Sequence, residues 1–194
     1  MDNDITIRQA TLEDLDLVTA IEAECFPAAE AATREQFAAR LAAYADHFWI
    51  FFYQGKPVGF IDGMVTDSDV IDDEMFADAS LHVPSGAWQA IFGLNVLPQY
   101  RRRGFAGRLI EQIIAQARSE GRRGVILTCK EALIHYYARF GFKNCGLSAS
   151  VHGGAVWYDM RITFLPEAGR CRLGPCCLIW TGRWWIRCRR SPAA

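Results

Sequence analysis

Residues Arg101-Arg102-Arg103-Gly104-Phe105-Ala106-Gly107 stand between a run of strand-forming residues and a stretch of helical periodicity. That placement suits an anionic ligand. The first turn of a helix leaves about four backbone N–H groups without intrahelical partners, at the positive end of the helix dipole. A phosphate is a natural partner for them. Close approach needs small residues, which Gly104, Ala106 and Gly107 supply, and three arginines add charge. Neither a G-x-x-x-x-G-K-[ST] loop nor the spacing of a dinucleotide fingerprint is present. On this segment alone, a solvated arginine turn whose glycines begin a helix is the stronger reading. A second group with chemical capacity is Tyr136-Tyr137 ahead of Phe140-Gly141-Phe142. A phenol can give up a proton, and such a pair also serves as packing. Glu24, Glu30, His82 and His152 are titratable side chains, each readable as an exposed charge or a satisfied loop histidine. Cys129 at a strand end reads as a small buried residue. No C-x-x-C pair occurs, so a metal site has no support.

These groups need a scaffold, and the periodicities supply one. Ile5 to Arg8 reads as a first strand, and Thr11 with Asp14 as a capping box opening a helix with Leu15, Val18, Ile21 and Cys25 on its inner face. Pro27 closes that helix. Thr33 and Gln36 cap the next, with Phe37, Leu41 and Tyr44 inward. His47 to Tyr53, a turn at Gln54 to Pro57, and Val58 to Met64 form a hairpin. Asp67 to Asp78 reads as an acidic loop with a short helix. Trp88 to Leu97 reads as one central strand ahead of the arginine–glycine segment, and Leu109, Ile110, Ile113, Ile114 and Ala117 line a long helix closed by Gly121. Val125 to Leu127 is a buried strand, Glu131 to Phe140 a helix stopped by Gly141, and strands near 149–152 and 155–164 finish the sheet. The alternation predicts a mixed central sheet with helices on both faces, the α/β (α+β) class.

The order Val96-x-Pro98-x-Tyr100-Arg101-x-x-Gly104-x-Ala106-Gly107-x-Leu109 resembles the coenzyme-A signature of the GNAT acetyltransferases, with its [RQ]-x-x-G-x-[GA] core. Tyr136 to Phe142 resembles the same family's Y-x-x-x-G-F segment, and the resemblance covers about residues 5–164. Within the superfamily the chain is similar to the arylalkylamine N-acetyltransferase branch. The likeness rests on Ile21-Glu22-x-x-x-Phe26, Val58-x-Phe60-Ile61-x-Gly63, Leu81-His82-x-Pro84-x-Gly86 and the stretch from Leu127 to Phe142. That branch carries a His-x-His pair on its central strand, and the corresponding positions here are Ala90 and Phe92. Its amine specificity and its base are therefore not implied.

The resemblance implies an acetyl-CoA-dependent N-acetyltransferase. Leu94, Asn95 and Val96 would hold the pantetheine arm and thioester through backbone groups, and Arg102, Arg103, Gly104, Phe105, Ala106 and Gly107 would cradle the pyrophosphate. Tyr137 would be the general acid. Glu24 and Glu30 flank Cys25-Phe26-Pro27, a loop that the resemblance sets near the acceptor, and with His82 and His152 they are the candidates for accepting the amine's proton. The acceptor is expected to be a small-molecule primary amine. A protein N-terminus or lysine is the rival acceptor, and a non-catalytic acyl-CoA-binding domain the rival class.

The 194 residues fit one domain. The longest apolar run, Phe48 to Tyr53, has six residues, against about 20 for a membrane-spanning helix. The acidic start Met1-Asp2-Asn3-Asp4 is unlike a secretory signal, so the expected location is cytoplasmic. Residues 165–194 hold six Arg and one acid, leaving 15 basic and 21 acidic residues, a net charge of −6, in 1–164. An acidic body argues against nucleic acid as the main partner. Four of the seven cysteines fall in the same 30-residue tail. The expected domain is residues 5–164, with 165–194 an atypical Arg/Cys/Trp-rich tail outside it.

Overall fold

The computed structural model describes residues 4–164 together with 178–181 and 184–187. The chain divides into two units, Met1–Phe164 and Leu165–Ala194. In the first, β1 (Ile5–Gln9) leads through a 3-10 turn into α1 (Leu15–Cys25), followed by α2 (Arg34–Tyr44). Both predicted capping boxes form: Thr11 N–H donates to Asp14 at 2.9 Å, and Gln36 N–H donates to Thr33 Oγ1 at 3.2 Å. The hairpin is β2 (Phe48–Tyr53) and β3 (Lys56–Asp62), turning on Gln54 and Gly55 with φ of +51° and +73°. Then come β4 (Val65–Thr66), the short α3 (Asp73–Ala77), β5 (Trp88–Ile91) and β6 (Gly93–Val96). The long α4 (Phe105–Ser119), β7 (Gly124–Cys129), α5 (Ile134–Ala138), β8 (Lys143–Leu147) and β9 (Tyr158–Thr163) complete the unit. In the second unit, β10 (Leu178–Thr181) and β11 (Trp184–Arg187) form an antiparallel pair.

The expected mixed sheet is present but divided, in the orders β1-β2-β3-β6 and β4-β5-β7-β9-β8. The pairing of β5 with β7 is parallel, and the other pairs are antiparallel. Alternation on β2 explains the layers. Phe48 and Ile50 face α1 and α2, packing with Val18, Phe37 and Leu41. Phe51 faces α4 with Leu109, Ile110 and Ile113. Helices therefore cover both faces.

Three expectations are corrected. Residues 88–97 are not one uniform strand: β7 accompanies only Trp88 to Ile91, and β6 pairs with β3 alone. The 58–66 segment stays alongside throughout, with Ala90 N–H on Met64 O, Phe92 N–H on Asp62 O and Leu97 N–H on Val58 O. What departs is β7. The predicted 131–140 helix is a 3-10 turn, Glu131–Leu133, followed by five helical residues. The strand expected at 149–152 lies instead at Lys143–Leu147, because Val151 at φ −114° and ψ 16° leaves the extended region and a 3-10 turn follows at His152–Gly154.

Candidate active site

Because β6 ends its sheet, its second edge faces the gap left by β7. Ladder bonds use alternate residues. Leu97 N–H points to β3, so the backbones of Leu94 and Val96 point into the gap. The Val96 carbonyl confirms this by accepting from Arg101 Nε at 3.0 Å. The gap is a cavity of about 420 Å³ whose lining includes Leu94, Asn95, Val96, Ala106, Cys129 and Tyr137. A second hollow of about 780 Å³, lined by Arg101, Arg102, Gly104 to Arg108 and Arg139, shares Val96, Arg101, Ala106, Leu133 and Tyr136 with the first. An elongated ligand can therefore lie along both.

The second hollow is the N-terminus of α4. Arg102 and Gly104 adopt φ of +62° and +85°, which turns the chain sharply before the helix. Phe105 anchors the first turn by stacking on Phe51 at 4.7 Å. Gly107 keeps the helix close to Phe140, whose ring an added Cβ would meet at 3.2 Å. No acidic residue occupies the first turn, so its N–H groups and Arg102 present positive potential to an anion. Arg103 lines neither hollow. Its guanidinium packs 5.8 and 5.5 Å from the ring centroids of Tyr53 and Tyr100.

Burial changes the character of several ionisable side chains on the first cavity. Burial raises the Tyr137 phenol well above its ordinary value, and Phe142 packs against its ring at 5.8 Å. Burial pushes the Cys129 thiol up to about 11. Burial also lifts the Glu22 carboxyl to about 7, while the Ala32 N–H at 3.0 Å and Asn95 Nδ2 at 2.7 Å hold it in place. Next to Glu22 lies a buried ion pair, Arg40 Nη1 to Asp62 Oδ2 at 2.9 Å. Among the described residues no cluster of His, Cys, Asp and Glu could hold a metal ion, and no helix is long and apolar enough to cross a membrane.

The parting of β7 from the central strand leaves backbone groups of Leu94 and Val96 without a strand partner beside the glycine-opened terminus of α4. The sequence description of the acetyltransferase (GNAT) family matches residues 15–142. The chain belongs to the GNAT acetyltransferase family. Among relatives, it is 27% identical over 112 residues to serotonin N-acetyltransferase of Mesocricetus auratus, a match covering 57% of this chain and 53% of that protein. The chain thus matches about half the length of that relative. The solved structures that share the fold include two that hold a coenzyme-A compound. The GphF GNAT-like decarboxylase in complex with isobutyryl-CoA has a TM-score of 0.71 at 23% identity, covering 81% of this chain and 98% of that one. Arabidopsis thaliana Naa50 in complex with the bisubstrate analogue CoA-Ac-MVNAL has a TM-score of 0.66 at 18% identity, covering 83% and 99%.

In this GNAT domain the expected cofactor residues other than Arg103 line one or both hollows. The four expected proton acceptors separate. Glu30 and His152 line the cavity, whereas Glu24 is exposed and His82 lies elsewhere, accepting from Val65 N–H at 3.1 Å between the rings of Tyr44 and His47. Glu30 is engaged by Lys130 Nζ at 2.7 and 2.9 Å. Glu22 was absent from the sequence candidates. A signal existed: Val18, Glu22 and Cys25 fall at i, i+4 and i+7, which puts the carboxylate on the apolar stripe of α1.

Proposed function

We propose that this GNAT domain transfers the acetyl group of acetyl-CoA directly to a primary amine of a small molecule. The observation that carries this reading is the aromatic, tethered wall of the cavity away from the phosphate hollow. Phe26, Phe76, Phe92 and Trp157 line it. The loop between β8 and β9 is tied across it: Ser150 Oγ and Val151 N–H donate to Asp73, and Trp157 Nε1 donates to the His152 carbonyl at 2.8 Å. His152 in turn stacks on Phe76 at 4.7 Å and lies 3.2 Å from the Glu30 carbonyl. A polypeptide acceptor needs an open groove, whereas a small amine with an apolar arm needs such a pocket.

The pyrophosphate would lie on Arg102 and the first turn of α4, with the pantetheine arm along the open edge of β6. Backbone N–H groups on that edge suit the oxyanion that forms when the amine attacks the thioester, and Tyr137 suits protonation of the departing sulfur. Burial keeps the Cys129 thiol protonated at neutral pH, and it also raises the Cys25 thiol. A neutral thiol is a poor nucleophile, so direct transfer is favoured over an acyl-cysteine. The test is CoA-thiol release over aryl amines, polyamines, amino acids and peptides. Small amines are expected to give the highest kcat/KM. Faster peptide turnover would move the reading to a protein acetyltransferase, and acetyl-CoA binding without any turnover would leave a binding domain.

A further inference from the structure

Resting on that transfer reading, we propose that Glu22 takes the proton from the acceptor's ammonium group, and that Asn95 positions Glu22 while accepting one N–H of the amine. Two elements converge to build the pair, Glu22 from α1 and Asn95 from the open strand β6, and both residues line the cavity. They are 5% and 1% exposed. Each carboxylate oxygen is fixed separately, Oε1 by Ala32 N–H at 3.0 Å and Oε2 by Asn95 Nδ2 at 2.7 Å. Asn95 Oδ1, by contrast, has no partner among the described residues. A buried amide oxygen left unpaired is unfavourable, and an incoming amine N–H is the donor that it lacks. The dyad thus offers a proton acceptor and a hydrogen-bond acceptor side by side, the complement of an alkylammonium.

The surrounding charges favour Glu22 over its neighbours. Arg40 on α2 and Asp62 on β3 face it and compensate each other at 2.9 Å, and Cys25 one turn along α1 carries a raised thiol. The carboxylate of Glu30 is occupied by Lys130. Burial brings the Glu22 carboxyl to about 7, near the operating pH at which a general base works best. The proton count closes. Glu22 carboxylate takes one proton from the ammonium, the free amine forms the C–N bond, and collapse breaks the C–S bond. The sulfur takes the Tyr137 proton, the phenolate recovers the second proton from the attached nitrogen, and Glu22 releases its own to solvent.

The test measures CoA-thiol release from the full chain with phenethylamine, spermidine and glycine ethyl ester across pH 5.5–9, alongside calorimetry of acetyl-CoA. Glu22→Gln retains an oxygen for Ala32 N–H, and the Asn95 amide can turn to face it, so the fold is expected to persist. The expected result is a loss of ~10²–10⁴ in kcat/KM, disappearance of the acidic limb near neutrality, and unchanged acetyl-CoA affinity. Asn95→Ala removes the donor that lowers the Glu22 carboxyl, so its limb should move to higher pH, with a raised KM for the amine. A purely structural role would leave that limb in place. Turnover of an amine by Glu22→Gln at the wild-type rate with the limb intact, or loss of the limb in His152→Ala instead, overturns the dyad alone. No turnover of any amine by the wild type overturns the transfer reading and the dyad together.

Discussion

Tyr137 and Tyr136 are neighbours in sequence, with ring centroids 5.5 Å apart, yet their surroundings differ. Tyr137 is buried on the first cavity, whereas Tyr136 is half-buried at the junction of both hollows. Tyr137→Phe keeps the ring against Phe142 and removes the proton. If chemistry limits turnover, kcat should fall ~10²–10⁴-fold while acetyl-CoA affinity stays constant. Tyr136→Phe should cost much less, and the reverse ranking in steady-state kinetics would exchange the assignments. Burial raises the phenol, so Tyr137 stays protonated through ordinary assay pH and should contribute no alkaline limb. Glu22 makes a separate prediction about stability. Its carboxyl is raised from 4.5 to about 7 on folding, so the folded state holds its proton more tightly than the unfolded chain does. The associated stability is full below pH 4.5 and is lost as pH rises through about 7. The shift corresponds to roughly 3 kcal/mol. Urea titrations at pH 5 and pH 8 should therefore show the wild type losing about that much more stability than Glu22→Gln over the same interval. Equal losses would mean that Glu22 is not desolvated in the folded protein.

At the scale of elements, the site depends on two departures from regularity: β7 leaving the central strand after Ile91, and left-handed residues preceding α4. The second was legible in the sequence, because Gly104 and the small residues after it stand where a helix begins. The first was not. Apolar residues run from Ala90 to Phe92 and recur at Leu94 and Val96, and periodicity reports which face a side chain takes, not whether a neighbouring strand stays alongside. Glycine supplies the missing physics. A Cβ on Gly63 would meet the Ala90 carbonyl at 1.9 Å, and one on Gly93 would meet Asp62 Oδ1 at 2.5 Å, so the strands press together on that side while the other opens. The strand expected at 149–152 misread a loop in which Val151 leaves the extended region. Glu22 escaped because a carboxylate on an apolar stripe looks like an exposed charge until the partner on β6 is known. The α4 terminus yields its own prediction. Gly104→Glu combines repulsion with the cost of a left-handed non-glycine residue, about 1–2 kcal/mol. Ala106→Glu isolates the ligand effect, since Ala106 is already helical and lines both hollows. Calorimetry should show a large loss of acetyl-CoA affinity for Ala106→Glu with its melting temperature nearly unchanged. Undiminished affinity would remove the α4 terminus from the cofactor site.

For the whole molecule, the question is how much of the chain the acetyltransferase needs. The GNAT match at 15–142 lies wholly within the first unit, Met1–Phe164. The last strand of that unit, β9, is bonded on both sides, to β7 and to β8. In the second unit β10 and β11 pair with one another. The composition changes at the same place, from a body of net charge −6 to a 30-residue segment with six arginines and one acid. A chain ending at Leu165 is therefore expected to fold, bind acetyl-CoA with the affinity of the full chain and release CoA-thiol at the same rate. Its melting temperature should stay within a few degrees, since about 1 kcal/mol moves a domain of this size by roughly 2–4 °C. Its elution from an anion-exchange column should move to higher salt, because the more acidic body remains. Loss of cooperative unfolding, or a fall in kcat/KM with affinity for acetyl-CoA intact, would show that residues beyond 165 complete the core or the acceptor side, and the domain boundary would have to move toward the C-terminus.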